Sequence, residues 1–233
     1  FFIVADIAQV NPKLIELISM EGHEIASHSL HHSEVIDKFG NPRMSKDDFR
    51  KSTKLSKQIL EGLSNKKVIG YRSPGAWIAG WMLDVLEDIG FSYDSSVCIN
   101  SFYSKMDKVP IKVETSPYYP AKGSLEKADT PRKIVEHPWT YWSSMGLKFP
   151  SQGGPLLRYM GSNYIIKGLN ESLLRGDTMF YLHPLDISHR FPRNISRRNL
   201  FWYGRGKAAE KSLIKIVKEF PKSFVKHSSI LNK

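Results

Sequence analysis

Four of the eight histidines of this 233-residue chain lie within ten positions, from 23 to 32. His28 and His32 are four residues apart, and a helical turn at this spacing would direct both rings at one point. Paired imidazoles are common donors to zinc and similar divalent metal ions. We therefore predict that His28 and His32 bind a divalent metal ion. His31 could replace His32 as a ligand but is a weaker candidate, and His23 is expected to have a structural role. The alternative to a metal site is an exposed polar loop.

Two further residues lie where strands are predicted to end. Arg72 follows strand 68–71 and could orient a carboxylate through two parallel hydrogen bonds. His183 follows strand 178–182, and Pro184 keeps its backbone extended. An imidazole at that edge of a sheet is well placed to act as a general acid. Either residue could instead be structural, since a surface arginine before a turn is common.

Strands and helices alternate along the chain. Such alternation predicts a parallel α/β sheet or barrel, in which active sites lie at the carboxyl ends of the strands. We expect residues 100–165, which are rich in Pro, Gly and Ser, to form long loops with short strands at the substrate rim. The predicted strands are 1–4, 23–27, 68–71, 91–97 and 178–182, and the predicted helices are 12–22, 45–62, 81–89, 171–175 and 207–220.

Composition limits the class of protein. The length fits one domain over residues 1–233. The single cysteine, Cys98, excludes an internal disulfide and a thiolate metal site. No apolar run is long enough for a membrane span, and no targeting segment is recognisable. The compartment stays open, with a bacterial cytoplasm or cell envelope favoured.

Positive charge is concentrated at the C-terminal end. Residues 190–233 hold 12 Lys and Arg against two Glu, or +10 of the total +11. We predict a basic C-terminal helix and tail here, with Ala209, Leu213, Ile216, Val217 and Phe220 on the packed face of the helix. Such charge favours an anionic membrane surface or an acidic glycan as partner. We expect no nucleic acid as a partner. The alternative to an anionic partner is that the lysines form a solvated helix face.

Taken together, the motifs resemble the NodB-type polysaccharide deacetylases, which form carbohydrate esterase family four. The matching segments are His-Ser-x-x-His at 28–32, Tyr-Arg-Ser-Pro at 71–74, Tyr-Asp-Ser-Ser at 93–96 and Tyr-Leu-His-Pro at 181–184. The loop at 149–158 is similar to a loop of the family branch that is associated with bacterial exopolysaccharide biosynthesis.

The resemblance implies an irregular (β/α) barrel related to the TIM barrel. It also implies a divalent metal, zinc or a similar ion, at His28 and His32, with Arg72 holding the catalytic base and His183 as general acid. The implied substrate-binding residues are Pro74, Trp77, Tyr93, Asp94 and Arg158.

One family motif is not found. Thr/Ser-Phe-Asp-Asp should precede the strand that begins at Phe1, and the sequence does not contain it. The pair Asp47-Asp48 lies at a helix start, where carboxylates favour the helix dipole. We therefore expect a truncated barrel without its first strand, the general base and one metal ligand, so that the fragment is impaired as an enzyme.

The expected reaction is hydrolysis of N-acetyl groups on amino sugars of a cell-surface or extracellular polysaccharide. A backbone N–H near residues 93–95 is the expected oxyanion donor. One alternative is an amide or cyclic-imide hydrolase acting on a ureide, and another is a non-catalytic glycan-binding barrel. Aromatic residues expected at a sugar-binding rim are Trp77, Trp81, Tyr118, Tyr119, Trp139, Tyr141 and Trp142.

Overall fold

The computed structural model describes residues 1–37, 40–99, 114, 116–190 and 203–231. The chain divides into two compact units. The first comprises Phe1–Pro138 with Lys226–Lys233, and the second is Trp139–Val225. Within the described residues, no helix has both the length and the apolar composition needed to cross a bilayer. Residues 100–113 of the expected loop region 100–165 and residues 191–202 of the basic stretch 190–233 lie outside the described residues.

The first unit is built on a five-stranded parallel sheet whose strands are neighbours in chain order. Each new strand therefore adds on the same side of the preceding one, which is typical of barrel-like winding. The sheet confirms the predicted α/β class, although each paired segment is only two residues long. The strands are β1 Phe2–Ile3, β2 Ala26–Ser27, β3 Gly70–Tyr71, β4 Tyr93–Asp94 and β5 Val135–Glu136.

Helices connect these strands. The longest begins at Ser45, whose hydroxyl accepts the backbone N–H of Asp48 at 3.1 Å, and ends at Asn65 with a φ of 52°. Both are favoured capping residues, and the cap agrees with our interpretation of Asp47-Asp48 as a helix start. The helices are α1 Ala5–Val10, α2 Pro12–Met20, α3 Lys46–Ser64 and α4 Gly80–Asp88, with 3-10 turns at Pro74–Ala76 and His227–Ile230.

Buried aromatic rings join α3 to the sheet. The ring of Phe49 lies 6.0 Å from that of Tyr71 and 5.6 Å from that of Trp81, and Phe91 lies 5.7 Å from Tyr71 on the other side. The edge-to-face angles are the arrangement that the ring quadrupoles favour. This packing fixes β3, and therefore the residue that follows it, Arg72.

The described part of the second unit, residues 139–190 and 203–225, contains a hairpin and three helices. Strands β6 Tyr141–Ser144 and β7 Leu147–Pro150 pair antiparallel across Met145-Gly146, which both have positive φ, as a tight hairpin requires. The helices are α5 Pro155–Leu173, α6 Pro184–Ile187 and α7 Lys207–Glu219. Helices α5 and α7 enclose a cluster of Leu157, Ile165, Leu169 and Ile216.

Three predictions fail in the second unit. The helix predicted at 171–175 is the end of the 19-residue α5, which begins inside the expected loop. The strand predicted at 178–182 is reduced to one bridge between Tyr181 and Gly153. Val217 is 46% exposed instead of packed, although Ala209 and Ile216 on the same helix are buried. Local patterns missed these points because the partners of each segment are distant in sequence.

Two glycines offer a stability test in the first unit. A Cβ on Gly80, the first residue of α4, would lie 2.2 Å from the backbone of Gly123, whereas a Cβ on Gly62 in α3 would meet nothing within 4 Å. We expect Gly80→Ala to lower the free energy of unfolding by about 1–3 kcal/mol through overpacking. Gly62→Ala should raise it by up to about 1 kcal/mol through helix propensity. Urea unfolding of both variants checks this, and equal effects would contradict the close backbone contact.

Candidate active-site residues

His28 directly follows β2 and is tied to the neighbouring strand end. Its Nδ1 lies 2.8 Å from the carbonyl oxygen of Arg72. Because a carbonyl only accepts hydrogen bonds, Nδ1 carries the proton and Nε2 bears the lone pair. A ligand histidine is usually oriented by such a bond from its other nitrogen. His28 therefore has the tautomer that a metal ligand needs.

The ring of His32 comes close to that of His28, with centroids 4.9 Å apart and planes at 76°. The backbone between them is not the helical turn that the spacing predicts. Ser29 and His32 have φ values of 70° and 57°, and the Ser29 hydroxyl accepts the N–H of His32 at 2.9 Å. A tight turn thus brings the rings together, and the predicted helical geometry is wrong.

The other two histidines of the cluster are directed elsewhere. The Nδ1 atom of His31 makes a short contact with the carboxylate of Asp6. The ring of His23 packs edge-on against Phe1, with centroids 5.1 Å apart. His31 is therefore committed to a carboxylate, and His28 with His32 is the pair that the structure assembles.

The chemistry of this pair fits part of a divalent-metal site. Two imidazoles are suitable zinc donors, but zinc usually binds three or four protein ligands. Among the described ranges of the chain, no group of three or more His, Cys, Asp and Glu side chains is arranged to hold a metal ion. The metal-binding role of His28 and His32 therefore stays a prediction.

Arg72 lies directly after β3 and is buried, with 8% of its surface exposed. Its Nε donates to the Ser95 carbonyl and its Nη2 to the Ser95 hydroxyl, both at 2.7 Å. The guanidinium also lies over the ring of Phe2, 4.0 Å from the centroid. The alternative of a surface arginine is therefore excluded, because the guanidinium is enclosed by these contacts. Its predicted contact with a catalytic carboxylate is not tested.

The predicted substrate-binding residues of the first unit lie mostly below the surface. Tyr93 donates its hydroxyl proton to Glu24 at 2.9 Å, and Asp94 is fully buried against Ser96. Pro74 is buried and Trp77 is half-buried at the 3-10 turn after Arg72. Substrate contact stays a prediction for all four residues. For Tyr93 and Asp94, the observed contacts are internal ones.

The expected oxyanion donors already donate to backbone carbonyls of the sheet. The backbone N–H of Tyr93 donates to the carbonyl of Ile69, and that of Ser95 donates to Tyr71 at 3.0 Å. Both groups complete the sheet ladder and have no proton left for a substrate oxygen. The prediction is therefore wrong for these two groups.

His183 belongs to the second unit and begins α6. Its Nδ1 lies 3.5 Å from the carboxylate of Asp186, which also accepts the His183 backbone N–H at 2.7 Å. The other oxygen of Asp186 lies 2.7 Å from Nε of Arg158, and neither of these two side chains is exposed. Arg158, predicted to bind substrate, is thus observed in a buried ion pair behind His183.

Asp186 is the residue of this group that the sequence analysis missed. Burial by itself would raise the pKa of Asp186, but the hydrogen bonds from His183 and the charge of Arg158 outweigh it and lower the pKa. Its position three residues after a helix-starting residue, with Pro184 between them, is the spacing of a capping box. That spacing was the available signal.

Most of the aromatic residues expected at the rim are packing residues. Tyr118, Trp139 and Tyr141 are buried, and Trp81 packs against Phe49. The hydroxyl of Tyr118 donates to the carbonyl of Leu125 at 2.6 Å. The ring of Trp139 lies 4.7 Å from that of Tyr181, with the two planes tilted by 41°. Their rings therefore stabilise the two units and are not presented to a ligand.

Two family models together cover nearly the whole chain. Residues 1–93 match the model described as polysaccharide deacetylase, and residues 108–231 match a domain of unknown function, DUF3473. The parallel α/β sheet has the fold of the NodB-type (β/α)-barrel class. Residues 1–93 are thus similar to the polysaccharide deacetylase family, and the chain belongs to the family defined by DUF3473, whose model matches more than half of it.

Solved structures share the fold. A candidate polysaccharide deacetylase from Mycobacterium smegmatis superposes with a TM-score of 0.62 at 21% identity, covering 100% of this chain and 70% of that one. A candidate polysaccharide deacetylase from Pseudomonas aeruginosa PAO1 superposes with a TM-score of 0.57 at 17% identity, and Puue allantoinase with a TM-score of 0.57 at 15% identity. Each of these two matches covers 99% of this chain and 65% of the other protein's chain. The chain thus spans just under two thirds of these last two proteins. A search of curated protein sequences finds no significant match.

The buried ion pair behind His183 provides a test within the second unit. Arg158→Met leaves the Asp186 carboxylate buried without its cation, and we expect a loss of about 3–5 kcal/mol in the free energy of unfolding. Arg158→Met with Asp186→Leu should recover most of this loss, because no charge is then left buried. Urea unfolding of the single and double variants measures the coupling, and additive losses would argue against the ion pair.

Proposed function

We propose that the protein is a metal-dependent deacetylase that hydrolyses N-acetyl groups of amino sugars in a cell-surface or extracellular polysaccharide. The observation that carries the proposal is the pair His28 and His32, with His28 fixed by the Arg72 carbonyl in the tautomer of a metal ligand. The similarity of residues 1–93 to the polysaccharide deacetylase family supports the reaction class. The DUF3473 match is consistent with the exopolysaccharide-associated branch.

Three residues of the first unit have a proposed part in this reaction. His28 and His32 would hold the ion, zinc or a similar divalent metal. When bound, such an ion supplies a Lewis acid for the acetyl carbonyl and for water. Arg72 is held by Ser95 with its guanidinium among the strand ends, where it can orient an acidic group.

His183 is proposed as the general acid that gives a proton to the departing amine. Asp186 faces its Nδ1, and Arg158 keeps the Asp186 carboxylate in place. This arrangement orients the imidazole with Nε2 as the proton-donating atom, in the same way that a buried carboxylate orients a catalytic histidine in other hydrolases. Asp186 and Arg158 are therefore positioning residues, and the substrate-binding role first given to Arg158 gives way to this one.

The fold does not select between deacetylase and ureide hydrolase, because Puue allantoinase shares it at a similar TM-score. It does not establish catalysis either, since a CE4 family pseudoenzyme from Bacillus anthracis is also similar, with a TM-score of 0.53, 10% identity, and coverage of 99% of this chain and 54% of that one. Site chemistry must decide the activity.

Zinc binding tests the histidine pair. We expect calorimetry to detect zinc binding by the chain, weakened at least about 10-fold by His28→Ala or His32→Ala, because each removes a ligand. His31→Ala is the matched control, since its ring is committed to Asp6, and it should leave the affinity unchanged. Equal zinc binding by the wild type and the double variant His28→Ala, His32→Ala would refute the site.

The reaction itself is tested on the purified protein. Acetate release from an N-acetylated chito-oligosaccharide should require the divalent metal and should fall by at least about 100-fold in His183→Ala, the usual contribution of a general acid. Ammonia or ureide release from a cyclic ureide, without acetate release from the sugar, would favour the alternative hydrolase. Metal binding with neither activity would support the glycan-binding alternative.

The basic C-terminal segment is proposed to bind an anionic membrane surface. On α7, Lys207, Lys211 and Lys218 are exposed opposite the buried Ala209 and Ile216. Their charge should attract anionic lipid, and attachment should weaken as salt shortens the screening length from about 10 Å at 0.1 M to about 3 Å at 1 M.

Vesicle sedimentation with anionic lipid tests this attachment. Lys207, Lys211 and Lys218 changed together to Gln should weaken binding more than the same change at Lys13, Lys51 and Lys54, which are exposed in the first unit. An equal effect of the two triple variants would mean that net charge, and not this helix, decides the binding.

A further inference from the structure

Two fully buried carboxyl groups lie side by side in the first unit. Asp94 on β4 and Glu136 on β5 are directly opposite each other in the parallel register, and neither is exposed. Glu136 belongs to none of the motifs that indicated a site. Buried acidic residues are rare unless they are paired or hydrogen-bonded, so the pair requires a physical explanation.

One oxygen of each carboxyl group is satisfied by the segment that follows β4. Oε1 of Glu136 accepts the backbone N–H of Ser96 at 3.1 Å and that of Val97 at 2.9 Å. Oδ1 of Asp94 accepts the Ser96 hydroxyl at 2.9 Å. The same hydroxyl accepts the backbone N–H of Ser73 at 2.9 Å, which connects this segment to the end of β3.

The second oxygens, Oδ2 of Asp94 and Oε2 of Glu136, are buried and have no hydrogen-bond donor. Two ionised carboxylates would place two unneutralised charges in the interior, at a cost of several kcal/mol for each. One proton held between the two oxygens removes one charge and satisfies both atoms. Carboxyl pairs in other proteins share a proton for this reason.

We propose that Asp94 and Glu136 share one proton and act as a positioning pair that fixes the Ser95-Ser96 segment, and through it Arg72. Ser95 is the residue that holds Arg72, since its carbonyl and hydroxyl accept the guanidinium N–H groups. The Ser95 hydroxyl in turn donates to the carbonyl of His137 at 2.8 Å. The pair thus holds the segment that orients Arg72. Any effect of the pair on catalysis through Arg72 rests on the proposed deacetylase function.

The electrostatics agree with a shared proton. Burial raises the pKa of Asp94 to about 6, against the lowering effects of its hydrogen bonds and of the Arg72 charge. Burial and the Asp94 charge raise the pKa of Glu136 well above its ordinary value. The other ionisable groups near the pair are Arg72 and Tyr71 at the end of β3, Tyr93 on β4, Glu114 and Tyr118 before β5, and His137 after it.

The shared proton predicts a direction for stability against pH. The folded state holds its proton at a pH where the unfolded carboxyl, with a pKa near 4, has lost it. Stability contributed by the two raised pKa values is therefore fully present below about pH 4 and begins to be lost as the pH rises through the Asp94 pKa of about 6. The part contributed by the shared proton is lost only as the pH rises through the higher pKa of Glu136. Ordinary paired carboxylates give the opposite slope.

The test replaces the proton by an amide. In Asp94→Asn, Nδ2 can donate permanently to Glu136, and in Glu136→Gln, Nε2 can donate to Asp94, so each variant imitates the singly protonated pair at every pH. Urea unfolding from pH 5 to pH 9 should show both variants close to the wild type at pH 5 and losing less stability than the wild type as the pH rises. Asp129→Asn, at an exposed aspartate, is the control and should keep the wild-type slope.

Two outcomes would overturn the proposal. One is a wild-type pH slope in both amide variants, and the other is failure of both to fold at pH 5. Asp94→Ala, which restores no donor, should be less stable than Asp94→Asn throughout the pH range.

The positioning role of the pair is tested separately, by zinc binding to the chain at pH 7. Asp94→Ala should weaken zinc binding because the Arg72 carbonyl orients His28, and Asp94→Asn should restore it. Restored stability without restored zinc binding would overturn the positioning role. A wild-type chain that binds no zinc would refute the proposed metal site, while the pH slopes would still report on the pair.

Discussion

A line of hydrogen bonds crosses the carboxyl edge of the parallel sheet, and the candidate site depends on it. The Nδ1 atom of His28 donates to the Arg72 carbonyl, the Arg72 guanidinium donates to Ser95, and the Ser95 hydroxyl donates to the His137 carbonyl. These four residues directly follow four adjacent strands. Because parallel strands end at one edge, one residue from each strand end is brought within hydrogen-bonding distance of the next.

The polar groups along this edge are costly to bury and are therefore tightly partnered. Arg72 combines two hydrogen bonds to Ser95 with a cation–π contact to Phe2. Hydrogen bonds in a water-poor interior reinforce one another, but a single missing partner leaves a large penalty. Such a network favours one arrangement of the strand ends over all others. A metal ligand and an orienting arginine need that precision more than they need added stability.

In the second unit, buried polar groups are partnered by an ion pair instead of a line of hydrogen bonds. Arg158 and Asp186 form an ion pair without any exposed surface, and Asp186 also receives the backbone N–H of His183 at the start of α6. The family comparison divides the proposed functional residues between the two matched parts of the chain. His28, His32 and Arg72 lie in the part matching the deacetylase model, and His183 lies in the part matching DUF3473. Both parts of the sequence are thus needed for the proposed chemistry.

The sequence by itself determined the α/β class, the strand ends that carry His28, His32 and Arg72, and the resemblance to the deacetylases. These features follow from local patterns: the alternation of strand and helix signals, capping residues such as Ser45, and short motifs. Tertiary structure decided which side chains meet. The turn that joins the His28 and His32 rings depends on positive φ values at Ser29 and His32, which no spacing rule contains. The partnership of Asp94 with Glu136, 42 residues later, depends on strand register, and register is set by the packing of the whole sheet.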